Sequence, residues 1–377
     1  MNNKNHWIRN KQLYTLLSLF SASIFTIIII LADFYSNPQS TVILGILNNL
    51  LVFISLTNLS SGQILQKYLV SYEVRSKLTR LMLFIVVLGL LYTLLPTKTP
   101  KVIVLTIISS ALINLNELFN VFEIFKNRPV LGALISLFNR LIVTSYLILL
   151  LVNKISVTQC LVFMIITLGL FSLTLTFIYK QQSVEHENSY SWRDLYVDMF
   201  HFNFVNWPVS FAQNIVRIFF YDGFTLSFKF YFEYLSKFIS VFIMLFDYNI
   251  RFNIARLTKI ILKRGIHKSI SIYLKLFKPY GLVLFVGIIG FSLFVFDLNL
   301  ALVGGYLAIF NIFSFLTYAR LIREDKYSTL FWALILICFG ASSTIINDTI
   351  ALGLALLALI LSIVVHLPST LKVTRNA

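Results

Sequence analysis

The sequence predicts an all-α integral membrane protein with about 12 transmembrane helices in two six-helix bundles. Of its 377 residues, 58% are hydrophobic and 12% are charged, and the mean hydropathy is +0.85. Soluble globular domains do not have this composition. The apolar runs are about 20 residues long, which is the length that an α-helix needs to cross a hydrocarbon core of roughly 30 Å. Membrane-spanning β-strands would be shorter and would alternate apolar with polar residues.

Apolar runs between charged residues or Pro, Gly and Asn define the helices in chain order. The predicted ranges are 14–32, 41–58, 81–96, 102–124, 130–152, 157–179, 197–220, 225–250, 280–296, 299–319, 328–346 and 349–368. The first run follows basic residues but has no small-residue cleavage site, so we expect a retained helix rather than a signal peptide. Cys160 and Cys338 lie within apolar runs without metal-ligand spacing, so we expect them to be packing residues.

The distribution of basic residues indicates the orientation of the helices. Among the 31 lysines and arginines, Lys98, Lys101 and Lys154 lie in predicted outer segments, four lie within helices, and all the others lie in predicted cytoplasmic segments. Cytoplasmic loops of membrane proteins carry such an excess of positive charge. The bias therefore predicts that both termini are cytoplasmic, and it accounts for most of the net charge of +16 without nucleic-acid binding.

The layout of the loops predicts two lobes, residues 1–185 and 186–377. Long basic loops follow the second helix (59–80) and the eighth helix (251–278), which are equivalent places in two parallel halves of six helices. The joint between the halves, from Tyr179 to Tyr196, is the most polar stretch of the chain. The 251–278 loop is compatible both with an amphipathic helix on the inner leaflet and with a solvated connector.

The sequence disfavours an enzyme. It contains no phosphate-binding loop, no dinucleotide-binding turn and no HExxH motif. The predicted outer gaps are short, and membrane glycosyltransferases and polymerases generally carry their catalytic acids on large outer loops. We therefore predict no catalytic residue, no metal site and no cofactor.

Three charged residues share one face of the predicted eighth helix. Lys229, Glu233 and Lys237 are successive i,i+4 neighbours, so the two lysines are expected to share a single carboxylate. Lys237 lies about 18 Å from the outer end of the helix, which is too deep to reach the interface easily. Ionisable residues at such depth usually face a bundle interior or a wet cavity. Lys229 is close enough to the outer end to extend its ammonium group to the interface instead.

The predicted seventh helix adds further polar groups. Arg217 lies near its outer end with Asp222 five residues later, so a structural ion pair and a role in substrate binding are both open. Asn214 is a candidate substrate ligand, and Pro208 predicts a bend.

The predicted fourth and fifth helices carry Glu117 and Arg140. Both lie at similar depths from the turn near Asn127, so an ion pair across the hairpin is open to them. The pair is either structural or presents charge to a substrate or a coupling ion.

Three segments resemble helices of the polysaccharide and oligosaccharide-lipid flippases, which are part of the multidrug/oligosaccharidyl-lipid/polysaccharide exporter superfamily. TVILGILNNLLVFISLTNLSSGQILQKYL (Thr41 to Leu69) resembles the second helix of that family. NWPVSFAQNIVRIFFYDGF resembles its seventh helix, with a proline near the start and an acidic residue at the outer end. SFKFYFEYLSKFISVFIMLFDYNIRFNIARL resembles its eighth helix and basic exit.

The resemblance implies a flippase of the bacterial cytoplasmic membrane that works by alternating access. The implied substrate is an oligosaccharide linked to undecaprenyl pyrophosphate, and the implied partners are membrane lipids, a polysaccharide polymerase and glycosyltransferases. A cationic cavity suits such a substrate because a diphosphate in a low-dielectric site needs counter-charge. The alternatives are a secondary transporter of a small solute and a membrane-embedded glycosyltransferase or polymerase.

Overall fold

The computed structural model describes residues 2–36, 38–58, 64–65, 72–94, 101–126, 128–180, 191–251, 281, 283–291, 293, 295, 297–322 and 326–372. Residues 252–278 of the predicted basic loop and residues 181–190 of the predicted joint lie outside this set. The chain divides into two compact units, Met1–Asn203 and Phe204–Ala377. The limits predicted for the two lobes meet at 185/186, within the segment that the structure does not describe.

All regular secondary structure in the described residues is helical. The first unit contains α1 (Asn2–Tyr35), α2 (Pro38–Leu56), α3 (Tyr72–Leu94), α4 (Lys101–Phe125), α5 (Pro129–Leu151), α6 (Val157–Lys180) and the first part of α7 (Trp192–Gln213). The second unit contains the rest of α7, α8 (Leu226–Arg251), α9 (283–291), α10 (Leu298–Ile322), α11 (Lys326–Ala341) and α12 (Asp348–Lys372). Each of the 12 predicted helices thus has a counterpart in the part of the chain that the structure describes.

Five helical stretches in the described residues are long and apolar enough to cross a membrane. They are Gln12–Tyr35, Pro38–Leu56, Lys101–Ile124, Pro129–Leu151 and Val157–Tyr179. Large apolar side chains on these and other helices are exposed, as lipid-facing side chains are in a membrane protein, and Leu170, Phe177 and Phe200 are examples.

Helix α4 forms the centre of the first unit, where it packs against α2, α3, α5 and α6. Gly132 allows α5 to approach it closely, because a Cβ atom at that position would lie 2.8 Å from the Asn120 carbonyl oxygen. Small residues serve this purpose between membrane helices. Helix α5 begins with Pro129, which lacks the N–H group that a first helical turn leaves unpaired.

Helix α6 starts with a capping box formed by Ser156 and Gln159. The Ser156 backbone N–H donates to Gln159 Oε1 at 2.9 Å, and the Gln159 backbone N–H donates to Ser156 Oγ at 3.3 Å. These reciprocal bonds satisfy donors that a helix start otherwise leaves unpaired. They place the start of α6 at the predicted residue, 157.

Helix α3 starts earlier than predicted, at Tyr72 rather than at 81. Glu73 lies in its first turn, where a negative charge is favourable to the helix dipole. The Glu73 carboxylate also binds the Lys77 ammonium group at 2.6 Å. Local charge pairing therefore favours a helix in residues 72–80, which the distribution of basic residues places in a cytoplasmic loop.

The core of the second unit is built from aromatic residues of α8 and α10 and small residues of α12. Tyr306 and Phe232 are fully buried in it, together with Ala351 and Ala355. The Tyr306 hydroxyl donates a hydrogen bond to the Ala212 carbonyl oxygen at 2.6 Å, which links α10 to the end of α7. A buried tyrosine needs such a partner for its hydroxyl.

Candidate functional site

The candidate site in the second unit begins with a break in helical regularity after α7. Residues Val216–Phe220 form a π-helical turn, and Tyr221–Gly223 form a 3-10 turn. The Tyr221 backbone N–H donates to the Val216 carbonyl oxygen, five residues back. A π turn inserts one additional residue and so rotates the side chains that follow it; such turns are frequent at functional sites.

Arg217 lies in this π turn and forms an ion pair with Glu233 of α8. Arg217 Nη1 lies 2.6 Å from Glu233 Oε1, and Nη2 lies 3.1 Å from Oε2. Arg217 Nη2 also donates to Ser236 Oγ at 3.1 Å. The pair is bidentate and withdrawn from solvent, because Arg217 is 9% exposed and Glu233 is 0% exposed. Two parallel charge-assisted bonds hold the guanidinium and the carboxylate in one orientation.

Aromatic rings enclose the ion pair. The Arg217 guanidinium lies 4.8 Å from the centre of the Phe232 ring, and the Tyr221 hydroxyl interacts with the Glu233 carboxylate. The Tyr221 and Phe232 rings meet edge to face, with centroids 5.6 Å apart. On the other side, the Lys229 ammonium group lies 5.3 Å from the Tyr221 ring. Tyr221 therefore lies between the ion pair and Lys229.

The observed pairing corrects two expectations from the sequence. Arg217 binds Glu233 rather than Asp222, which is exposed in the 3-10 turn. The Glu233 carboxylate is occupied by Arg217 and is not shared between Lys229 and Lys237. The physical reason is the π turn, which directs Arg217 toward α8 and which the apolar pattern does not reveal.

The other predicted residues of the second unit lie around this pair. Lys237 is half-buried and follows Glu233 by one helical turn, next to Ser236. Asn214 is buried, and its Nδ2 donates to the Ser210 carbonyl oxygen at 2.8 Å. This bond to the preceding helical turn holds the Asn214 side chain next to the start of the π turn.

In the first unit, the expected ion pair between Glu117 and Arg140 is not formed. Glu117 Oε2 accepts a hydrogen bond from Asn120 Nδ2 at 2.6 Å, one turn further along α4. Arg140 Nη1 donates to the Ser21 carbonyl oxygen of α1 at 3.0 Å, and its guanidinium lies 5.7 Å from the Phe25 ring. Similar depth was the basis of the expectation, but α5 turns Arg140 toward α1, against which it packs closely.

Amide side chains of α4 form a buried network with α5 and α6. Asn116 Nδ2 donates to Asn139 Oδ1 at 2.8 Å, and Ser172 Oγ donates to Asn116 Oδ1 at 2.7 Å. Asn114 Nδ2 reaches the Ile54 carbonyl oxygen of α2 at 2.7 Å. Satisfied networks of this kind hold membrane helices together. Asn114 and Asn116 of α4 are therefore occupied by neighbouring helices.

A second charged cluster, at the start of α3, was not found from the sequence. Arg75 is 4% exposed, and its guanidinium lies 4.4 Å from the Phe122 ring, 4.8 Å from the Tyr179 ring and 5.6 Å from the Phe119 ring. Glu123 lies beside the Tyr179 hydroxyl and is itself 1% exposed. The helix-forming stretch YEVRSKLTR, with charges at i,i+4 spacing, is the signal that indicates a helix here.

Nor did the sequence single out Tyr221 and Phe232, because a chain with 36 Phe and 18 Tyr residues offers too many aromatic candidates.

Among the described residues, no group of three or more His, Cys, Asp or Glu side chains is placed to hold a metal ion.

The fold is similar to that of transporters of the MOP superfamily. The chain aligns over 98% of its length with 97% of an outward-facing multidrug resistance MATE family transporter, at 11% identity and a TM-score of 0.63. It aligns over 97% of its length with 96% of a MATE in complex with MaL6, at 12% identity and a TM-score of 0.58.

A third similar structure is a MOP superfamily transporter from Pyrococcus furiosus, in which the reverse polarity of the binding pocket suggests a different function. The alignment covers 94% of this chain and 93% of that transporter, at 11% identity and a TM-score of 0.60. No protein-family model matches the chain, and no curated protein matches it by sequence. At these identities, the similarity establishes the all-helical MATE-like fold.

Proposed function

We propose that this chain is a membrane transporter that moves a polyprenyl-pyrophosphate-linked oligosaccharide across the membrane by alternating access. The MATE-like fold supports transport, because the similar solved structures are transporters rather than enzymes. The charges around the Arg217–Glu233 pair support an anionic substrate.

The observation that carries the proposal is the excess of positive charge in the stretch from Arg217 to Lys237. This stretch contributes three cations, Arg217, Lys229 and Lys237, and one buried carboxylate, Glu233, which Arg217 binds. The remaining acid of the stretch, Asp222, is exposed at the end of the helical segment. An excess of positive charge at membrane depth is costly, and a bound anion would relieve the cost.

A diphosphate headgroup fits this site chemically. It is negatively charged, as a ligand of a cation-rich stretch should be, and its oxygens accept charge-assisted hydrogen bonds. The polyprenyl tail of the same molecule is as apolar as the exposed outer faces of the helices, so it can stay in the lipid while the headgroup crosses. This function places the protein in a bacterial cytoplasmic membrane, alongside the glycosyltransferases that make such substrates and the polymerase that consumes them.

A second candidate is the transport of a small solute. It is favoured by the similarity to a multidrug resistance MATE family transporter over nearly the whole chain. The two candidates differ in the charge and size of the molecule that crosses, so they can be separated by direct assay.

The test uses purified protein reconstituted into liposomes that contain fluorescent undecaprenyl pyrophosphate carrying a short oligosaccharide. We expect the labelled lipid to cross the bilayer faster than in protein-free liposomes. Lys237→Gln is expected to slow crossing, whereas Lys154→Gln, in the exposed turn between α5 and α6, serves as the matched control. Transport of a small dye without movement of the labelled lipid would favour the second candidate, and movement of neither would contradict both.

A further inference from the structure

Helix α8 has two sides of opposite character. Tyr231 and Phe238 are 39% and 37% exposed on one side of the helix, where aromatic side chains suit contact with lipid. On the opposite side, polar residues form a stripe within an arc of about 100°, given 3.6 residues per helical turn. The stripe consists of Lys229, Glu233, Ser236, Lys237 and Ser240. Polar side chains at membrane depth usually face a bundle interior or a wet cavity, so this stripe is the side of α8 that suits a transport path.

Ser236 lies within this stripe and is half-buried. Its Oγ accepts a hydrogen bond from Arg217 Nη2 at 3.1 Å. A serine hydroxyl carries one donor in addition to its acceptor lone pairs. Within the part of the chain that the structure describes, the Ser236 hydroxyl donates to no acceptor. One hydrogen-bond donor of the polar stripe is therefore left for a ligand.

Ser240, one turn further along the stripe, uses its hydroxyl differently. Its Oγ donates to the Ser236 carbonyl oxygen at 2.7 Å. Serines within helices often form such a bond to the preceding turn. Ser236 instead receives a bond from a guanidinium, and this makes its hydroxyl a stronger donor, because hydrogen bonds in a chain polarise one another.

We infer that the Ser236 hydroxyl binds the transported lipid by donating a hydrogen bond to a phosphate oxygen of its headgroup. The inference rests on the proposed function and names a binding residue that the sequence did not single out. A phosphate oxygen is a charged acceptor, which makes the bond charge-assisted. Arg217 keeps its two bonds to Glu233 and acts on the substrate through Ser236, so it is a positioning residue and not the direct ligand expected from the sequence.

The experiment measures the binding of two lipids to the purified full-length protein in detergent micelles. The lipids are undecaprenyl pyrophosphate and undecaprenol, which has the same tail without phosphate. We expect Ser236→Ala to bind the pyrophosphate lipid about tenfold more weakly than the wild type, because it loses one hydrogen bond to a charged group. Ser236→Thr should retain most of the affinity, since it keeps a hydroxyl. None of these changes should alter the affinity for undecaprenol.

Ser240→Ala is the matched control, because it removes a hydroxyl from the same stripe whose proton is already donated within the helix. It should bind the pyrophosphate lipid as the wild type does. The thermal-unfolding midpoint of each variant is measured in parallel, since Ser236 also contacts Arg217. If Ser236→Ala weakened binding of both lipids equally and lowered the midpoint, the serine would only support Arg217, and the inference would be overturned.

The wild type separates this inference from the proposed function. The proposed function requires the wild type to bind undecaprenyl pyrophosphate more tightly than undecaprenol. If it does not, the proposed substrate class fails and the role of Ser236 fails with it. If it does, but Ser236→Ala binds the pyrophosphate lipid as tightly as Ser240→Ala, the proposed function stands and the role of Ser236 alone fails.

Discussion

Arg75 and Tyr179 are separated by 104 residues and are joined by a hydrogen bond from Arg75 Nη2 to the Tyr179 carbonyl oxygen at 3.2 Å. That carbonyl lies in the last turn of α6, where helices leave acceptors unpaired and carry partial negative charge. The same guanidinium packs against the Tyr179 ring and against Phe122 of α4. Arg75 thus ties the start of α3 to the ends of two other helices.

The first prediction concerns this arginine. Arg75→Ala should lower the free energy of unfolding by about 2 kcal/mol or more, since it removes a desolvated cation–π contact and a charge-assisted bond. Arg75→Lys should lie between the wild type and the alanine variant, because an ammonium group keeps the charge but not the planar stacking. The measurement is the thermal-unfolding midpoint of the purified protein in detergent.

Arg80→Ala is the matched control, because Arg80 is exposed on the same helix. Its midpoint should stay close to that of the wild type. An equal loss for Arg75→Ala and Arg80→Ala would mean that the loss reflects positive charge at the start of α3 in general and not the enclosed position of Arg75.

The helices could be predicted from the sequence because they follow from the length of the apolar runs, and α6 begins at the predicted residue. The pairing of the charged residues could not. Arg217 meets Glu233 through a π turn, and Arg140 faces Ser21 because of the way α5 packs against α1. Spacing along one helix defines neighbours on that helix, whereas partners on different helices depend on rotation and packing. Arg75 was assigned to a loop because positive charge near a membrane interface is typical of cytoplasmic loops and helix ends alike.

The second prediction follows from the separate surroundings of Glu117 and Arg140. Each has its own partner, Asn120 and Ser21 respectively, so Glu117→Gln and Arg140→Gln should change the unfolding midpoint independently. The change in the free energy of unfolding of the double variant should equal the sum of the two single changes to within about 0.5 kcal/mol. Recovery of stability in the double variant beyond that margin would indicate direct coupling between the two charges and contradict the observed arrangement.

The third prediction concerns orientation and uses the two ends of α5. Arg128 precedes this helix and Lys154 follows it, both side chains are exposed, and 23 helical residues span about 34 Å. With the N-terminus in the cytoplasm, Lys154→Cys should react with an impermeant thiol reagent in intact cells. Arg128→Cys should react only after the membrane is permeabilised. Both variants are made with Cys338→Ser, because the native Cys338 is exposed whereas Cys160 is buried. The reverse labelling pattern would invert the predicted topology.

The last prediction concerns Lys237, which lies one helical turn after Glu233 on α8 and does not share the carboxylate that Arg217 binds. Lys237→Arg should retain part of the transport of the labelled pyrophosphate lipid, because it keeps the positive charge while changing its shape. Lys237→Ala should remove most of the transport, and Lys237→Glu should be the most severe, because it adds repulsion of the diphosphate to the lost attraction. Lys154→Glu makes the same charge change in an exposed turn and should transport at nearly the wild-type rate. Each rate is divided by the amount of protein in the liposomes, so that a loss of folding is not counted as a loss of function. Wild-type transport by Lys237→Glu would show that the site does not act through positive charge at this residue.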